Sequence, residues 1–302
     1  MGRIFDALQR STGRKEADAS VISSFAPNTE IQGRPDSEVA GLFGVRSLNT
    51  AATPEKRLVT LDGQRSLGSE KIRILAAKLR HLQDQRSIKR LLITSSVKDE
   101  GKTVLSANLA ISFAKMKQRV LLIDGDCHHA NAGLLLGANG SPGLSDWWRS
   151  EQPIETYLMR VNGLPLWFLP AGGPLDQVLE MLQSTQVLNL LSKMTSWFDW
   201  VVIDSPPSAP LADSAVWARL ADGILLVTRN GRTPKRLLRK VLESLEASKL
   251  LGIVLNDCSD PDQRYYAHYY YTLHNDRQSN GFLRRFSRQR ASKSGGFPAR
   301  TE

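Results

Sequence analysis

The stretch Leu91–Val104, LLITSSVKDEGKTV, decides how this chain folds. Its apolar run Leu91-Leu92-Ile93 gives way to Thr94-Ser95-Ser96, then to a charged turn, then to Gly101-Lys102-Thr103. Val104-Leu105 and Asn108-Leu109-Ala110 continue in a helical rhythm. A buried strand, a loop and a helix start are therefore expected, the setting that a phosphate-binding loop requires. In such a loop Gly101 lets the backbone approach a phosphate, Lys102 reaches the β/γ oxygens, and Thr103 offers its hydroxyl to Mg²⁺. Ser96 stands where G-x-x-x-x-G-K-T has its first glycine. On its own, Gly-Lys-Thr marks only a helix N-terminus with a surface lysine; the flanking strand and helix give it meaning.

Working outward, Arg119–Asp126 (RVLLIDGD) is a second strand, apolar without alternation, as in a strand covered on both faces of a parallel sheet. It ends in two carboxylates, Asp124 and Asp126. Trp200–Pro207 (WVVIDSPP) ends likewise in Asp204, and prolines stop it. Leu164–Leu169, Gly223–Thr228 and Leu251–Asn256 read as further strands, and Ser141–Leu144 as a turn. Leu175–Met194 reads as one or two helices. Ser69 is expected to cap a helix carrying Ile72, Leu75, Ala76, Leu79 and Leu82 at helical spacing. Thr233 is expected to cap another, with Pro234 at its first position and Leu237, Leu238, Val241, Leu242 and Leu245 on one face. Strands alternating with helices predict an α/β fold, a doubly wound, mainly parallel sheet. Ligands bind such sheets at the carboxyl ends of strands, where the phosphate loop and all three acids fall.

The 302 residues carry a net charge of +10 and 41% apolar residues, enough for a sizeable core. No apolar run reaches the roughly 18 residues of a membrane span. The N-terminus MGRIFDALQR lacks a signal-peptide core, and Asp6 occupies the position that myristoylation gives to Ser or Thr. Two cysteines, Cys127 and Cys258, lack metal-ligand spacing and fit a reduced, cytoplasmic compartment. Residues 1–65 are expected to be a flexible segment with a short amphipathic helix over residues 1–10. Residues 66–258 are the expected catalytic domain. Residues 259–302 form a polar tail with eight Arg or Lys against four Asp or Glu, a balance of +4.

Moving a γ-phosphoryl group requires charge neutralisation and alignment more than covalent help. A single acid at a strand end is more often a cap or turn residue. Three beside a phosphate loop point to phosphoryl chemistry. Adjacent histidines after a strand, His128 and His129, read as partly exposed loop residues. The other unusual feature is QRYYAHYYYT. Five of the six tyrosines (Tyr265, Tyr266, Tyr269, Tyr270 and Tyr271) lie here, beyond the last core strand, and only Tyr157 lies elsewhere.

These pieces together resemble the bacterial tyrosine autokinases of capsule and exopolysaccharide synthesis, in the deviant-Walker P-loop class. The matching segments are TSSVKDEGKT, VLLIDGD, VVIDSPP, SPGLSD, GIVLND and the tyrosine cluster, across about residues 66–271. The resemblance implies ATP-dependent phosphorylation of the C-terminal tyrosines between subunits of a ring. It also implies a membrane-bound polysaccharide co-polymerase as activator, and hence indirect membrane association at the cytoplasmic face. Nucleic acid is not an expected partner. It implies ATP contacts from Ser96, Val97, Lys98, Asp99, Glu100, Gly101, Lys102, Thr103 and Val104, with Asn256 near the adenine. Lys102, Asp124, Asp126 and Asp204 are the implied catalytic residues; Thr103, Asp124 and Asp204 the implied Mg²⁺ ligands. Glu70 and Arg73 fit the family's E-x-x-R oligomer motif, whose second arginine is Ala76 here. Lys98-Asp99 replaces the family's commoner Pro-Gly, which predicts a stiffer loop and like-charge repulsion of phosphate.

The tyrosines begin nine residues after Asn256. An extended tail of 9–15 residues spans roughly 30–50 Å, enough to reach a neighbour's site. Five phosphates would change its charge by about −8 to −10, reversing its sign and releasing subunits. Two other readings compete with this one. A positioning or partition ATPase normally has a signature lysine early in the loop, where Val97 stands, and lacks a tyrosine cluster. A catalytically weak scaffold of a polysaccharide machine would fit the altered loop.

Overall fold

The computed structural model describes residues 42, 44–61, 66–208 and 212–258. The N-terminal amphipathic helix and the tyrosine-rich tail lie outside the described residues. Eight strands form one sheet: β1 (Arg46–Leu48), β2 (Arg90–Ser95), β3 (Val120–Asp124), β4 (Met159–Val161), β5 (Leu166–Leu169), β6 (Trp200–Asp204), β7 (Gly223–Arg229) and β8 (Leu250–Asn256). Their order is β1-β4-β5-β3-β6-β2-β7-β8, and every pairing is parallel except β4 with β5. The helices are α1 (Leu67–Gln85), α2 (Lys102–Lys115), α3 (Asn131–Leu136), α4 (Leu144–Trp148), α5 (Val178–Gln183), α6 (Thr185–Trp197), α7 (Ala212–Leu220) and α8 (Lys235–Ser244).

The continuous apolar runs have a direct physical reason. Alternate residues of a strand point to opposite faces, and both faces of this sheet are covered. Leu92, Leu121, Ile123, Val201, Ile203 and Ile224 enter one core, packed with α5, α6 and α7. Leu91, Ile93, Val120, Leu122, Val202 and Leu225 enter the other, packed with α1 and α2. There Phe113 of α2 stacks on Trp200 of β6, ring centroids 4.5 Å apart. The sheet thereby places β3, β6 and β2 side by side, with their carboxyl ends in register. Asp124 lies beside Asp204, and Asp204 beside Ile93, two residues before the end of β2.

Several expectations are corrected. The segment before residue 66 is not wholly a flexible linker. It supplies β1, which pairs with β4, and buries Leu42, Leu48 and Leu58. Thr60 locks it to α2 through the Asn108 side chain, at 3.0 Å from its N–H and 2.9 Å from its hydroxyl. The cap of α1 is Ser66, whose hydroxyl accepts from Ser69 N–H while Ser69 Oγ accepts from Ser66 N–H; Ser69 is the third residue of that box. Thr233 does not cap α8. Its hydroxyl is drawn instead to Glu100 of the phosphate loop, to Thr228 and to the N–H of Arg229.

Candidate nucleotide and catalytic site

The loop between β2 and α2 is closed on itself before any ligand is considered. Ser95 Oγ donates to the Val97 carbonyl at 2.7 Å, and Val97 N–H donates to Glu100 Oε2 at 3.0 Å. The buried Glu100 carboxylate also meets the Thr233 hydroxyl. Its role is therefore a brace, and only its backbone is available to phosphate. Gly101 holds φ +92°, a conformation that a side chain resists, and an added Cβ would strike the Asn256 amide. That amide donates to the Glu100 carbonyl at 2.9 Å, so Asn256 secures the loop from β8.

Asp99 takes φ +64°, the left-handed region, where the family pattern has glycine. Asp tolerates this region better than most residues, yet at a cost of about 1–2 kcal/mol. Its carboxylate is exposed beside the loop. Asp99→Gly is expected to remove both the strain and the like charge, raising affinity for a nucleoside triphosphate about threefold at low salt. Titration calorimetry on the two proteins at two salt concentrations measures it; an unchanged affinity would show that Asp99 is indifferent to phosphate.

Lys102 opens α2 with its side chain almost wholly buried, Nζ 3.4 Å from Asp126 Oδ2. Asp126 Oδ1 accepts from His129 N–H at 3.0 Å. Asp124 accepts from the N–H groups of Asp126, Ala132 and Gly133 at 3.3, 3.1 and 3.3 Å. Ser106, one turn into α2, donates to Asp204 Oδ1 at 3.1 Å. Asp204 Oδ2 and Ser96 Oγ are buried with no hydrogen-bond partner among the described residues. Gly125 between Asp124 and Asp126 is hemmed in: a Cβ there would lie 3.0 Å from Asp204 O and from the Trp217 ring.

Burial, and then the Asp204 charge, push Asp124 up to about 8. Burial pushes Asp204 up to about 6, against the Lys102 ammonium and the Thr103 and Ser106 hydroxyls. Three carboxyl groups share one ammonium in a buried place, and ionising all three leaves an excess of negative charge. A divalent cation answers that excess, and the unspent Asp204 Oδ2 is a donor for it or its water, so these residues fit Mg²⁺. Among the described residues no three His, Cys, Asp or Glu side chains form a ready metal cage. Mg²⁺ takes one or two carboxylates plus phosphate oxygens and water.

The loop opens on a cavity of ≈ 580 Å³, lined by Gly101, Lys102 and Thr103, by Asn131 and Leu134 of α3, and by Arg229 of β7. Arg229, Asn131, Ser106 and the Thr233 brace do not stand out in the sequence. None lies in a motif; each is brought in by the sheet order. His128 and His129 are loop residues, but not idle. His128 Nε2 lies 2.7 Å from Asp213 Oδ2, and Lys98 Nζ donates to His129 Nε2 at 3.0 Å, joining the two loops. Glu70 and Arg73 pair at 2.9 Å on the exposed side of α1, whereas Ala76 is wholly buried. A side chain at 76 points into the core, so no arginine there reaches a neighbour.

Residues 97–232 match the AAA domain family. Tyrosine-protein kinase CpsD of Streptococcus agalactiae serotype Ia is 31% identical over 178 residues, 58% of this chain and 77% of CpsD. The succinoglycan biosynthesis transport protein ExoP of Rhizobium meliloti is 34% identical over 210 residues, 67% of this chain but only 27% of ExoP. Among solved structures, the VpsO kinase domain is 28% identical with a TM-score of 0.58, covering 64% of this chain and 97% of that domain. The fold, the strand-end acids beside a Gly-Lys-Thr loop and these likenesses converge: the chain belongs to the bacterial tyrosine-protein kinases of capsule and exopolysaccharide biosynthesis.

Proposed function

We propose that this protein is an ATP- and Mg²⁺-dependent tyrosine autokinase that regulates exopolysaccharide or capsule synthesis and chain length. Its acceptors are Tyr265, Tyr266, Tyr269, Tyr270 and Tyr271 of its own tail. The supporting observation is the meeting of Lys102, Asp126, Asp124 and Asp204 at three adjacent strand ends. In this reading the N–H groups of residues 96–104 cradle the triphosphate, and Lys102 neutralises charge on its outer phosphates. Thr103, Asp124 and Asp204 are the residues that would hold Mg²⁺, which supplies further charge neutralisation when bound. The Asp124/Asp126 pair takes the proton of the attacking tyrosine hydroxyl, and Lys102, held by Asp126, starts aligned with the transferred group. Asn256 braces the loop rather than serving adenine alone.

The domain reading moves accordingly: a catalytic unit from about residue 42 to 258, and a phosphoacceptor tail from 259 to 302. Among the described residues no helix is long and apolar enough to cross a membrane. A cytoplasmic protein recruited by a membrane-bound co-polymerase fits this, since ExoP is named for transport in polysaccharide synthesis. Self-association through the α1 face carrying Glu70 and Arg73 belongs to the same proposal. Incubating the full chain with ATP, Mg²⁺ and its co-polymerase should place phosphate on two or more of the five tail tyrosines, mapped by mass spectrometry. A folded protein that stays unlabelled under those conditions is not an autokinase.

A further inference from the structure

α8 carries a cationic face that the catalytic reading does not use. Lys235, Arg236, Arg239 and Lys240 are all exposed, and Arg232 is exposed in the turn before them. The spacings 235/239 and 236/240 are four residues, so these four side chains form one stripe on the helix surface, and Arg232 lies in the turn ahead of it. No ion pair joins any of the five to a described carboxylate. Glu243 is the one acid on the helix. The opposite side of α8 is turned inward, with Val241 buried and Leu237, Leu238, Leu242 and Leu245 half-buried. Of these, Val241 is fully buried and Leu245 packs against the main core, while the other leucines keep part of their surface exposed. The fully exposed side chains of Lys235, Arg236, Arg239 and Lys240 make the outward side cationic.

The tail leaves the domain beside this stripe. Arg229 is the register partner of Asn256, the next residue's N–H (Asn230) donates to the Asn256 carbonyl at 2.9 Å, and the Arg229 guanidinium grips Asp257 at 2.7 Å. Arg229 is also three residues before Arg232. Arg229 first, and Arg232 with it, hold the Asp257 carboxyl below the usual range. The chain exit and the head of the stripe are thus neighbours. From Cys258 to Tyr265 is seven residues, about 23 Å when extended. α8 is about 15 Å long. A chain's own tyrosines therefore reach its own stripe.

We propose that the exposed face of α8, headed by Arg232, is a docking surface for the phosphorylated form of this chain's own tyrosine segment, residues 265–271. Five cations face a segment that gains about −1.5 to −2 charge per phosphate. Arginine offers paired N–H donors to each phosphate, and lysine a compact charge. Before phosphorylation the segment has no such affinity, so it is free to visit a neighbour's active site. Afterwards it is retained by its own subunit, which removes it from the neighbour. Subunit release then follows from capture as well as from repulsion. The inference rests on the autokinase reading for the source of the phosphotyrosine.

The test uses the full chain with all five tail tyrosines changed to Phe, so that its own tail does not compete. The probe is a fluorescent synthetic peptide of residues 262–274, either unmodified or carrying five phosphotyrosines. Fluorescence anisotropy at physiological salt should show the phosphopeptide binding at least about tenfold tighter than the unmodified one. The K235Q/R236Q/R239Q/K240Q variant should lose about tenfold of that affinity while its thermal melt stays unchanged. If the fourfold change unfolds the protein, K235Q/R239Q and R236Q/K240Q carry the test separately. A phosphopeptide bound equally by the variant overturns the proposal. So does stripe-dependent sedimentation with phosphatidylserine vesicles in the absence of stripe-dependent peptide binding, which would make the face a lipid contact. Because the phosphopeptide is synthetic, an inactive kinase leaves this measurement intact, and a failed capture leaves the kinase reading intact.

Discussion

Lys102→Met is expected to lower autophosphorylation by a factor on the order of 10²–10³, the size of effect seen when one preorganised charge is removed from a transition state. The ammonium is almost wholly buried and sits 3.4 Å from Asp126, so no solvent ion takes its place. Methionine keeps the length of the stem and much of its packing, so the fold should persist. It also leaves three acids facing each other without their cation, which penalises a bound triphosphate further. Phosphotyrosine blotting of the two full chains with ATP, Mg²⁺ and the co-polymerase checks the activity. A thermal melt checks that both are folded. Activity within twofold of the parent would mean that Lys102 does not face the transferred phosphoryl group.

The second large effect concerns pH. Asp124 and Asp204 are raised to about 8 and about 6, above an unfolded value near 3.9. The folded state therefore holds these protons more tightly than the unfolded chain does. Their contribution to stability is fully present below pH 4 and is lost as pH rises, through about 6 for Asp204 and about 8 for Asp124. Without nucleotide, the melting temperature should fall by an amount on the order of 10 °C from these groups between pH 5 and pH 8.5. Mg²⁺ with ADP should reverse this, because a cation favours the charged carboxylates, and binding should release protons. Asp124→Asn should flatten the upper part of the apo profile and abolish the gain from Mg²⁺ with ADP. Melts across pH, with and without Mg²⁺ and ADP, decide the matter. An apo protein that gains stability from pH 6 to 8.5, with no compensating change in Asp124→Asn, would refute the assignment.

Much of the fold was legible because its central strands advertise themselves. Residues 91–93, 120–123 and 200–203 are apolar on consecutive positions, which only a sheet covered on both sides requires. Their terminal acids are equally plain, because a charge at the end of such a run must sit at the sheet's rim. Apart from the nine-residue α7, the elements that escaped are short. β1 and β4 have three residues each, too few to establish any period. Helix α3 has six and α4 five. Serines at 66 and 69 both suit a cap, and only the mutual hydrogen bonds distinguish them. The brace from Thr233 to Glu100 joins residues 133 positions apart, and nothing local in either sequence announces it. Ala76 was legible as a departure from the motif, but its inward direction needed the helix to be seated on its core.

The two thiols differ in a way that follows from where they sit. Cys127 is pushed up to about 12 by burial and the surrounding carboxylates, so alkylating dyes meet almost no thiolate there. Cys258 is exposed, two residues beyond the asparagine that steadies the phosphate loop. Nature has thereby left one natural labelling handle at the root of the acceptor arm, and an environment-sensitive fluorophore attached to it would register nucleotide turnover without any engineered cysteine.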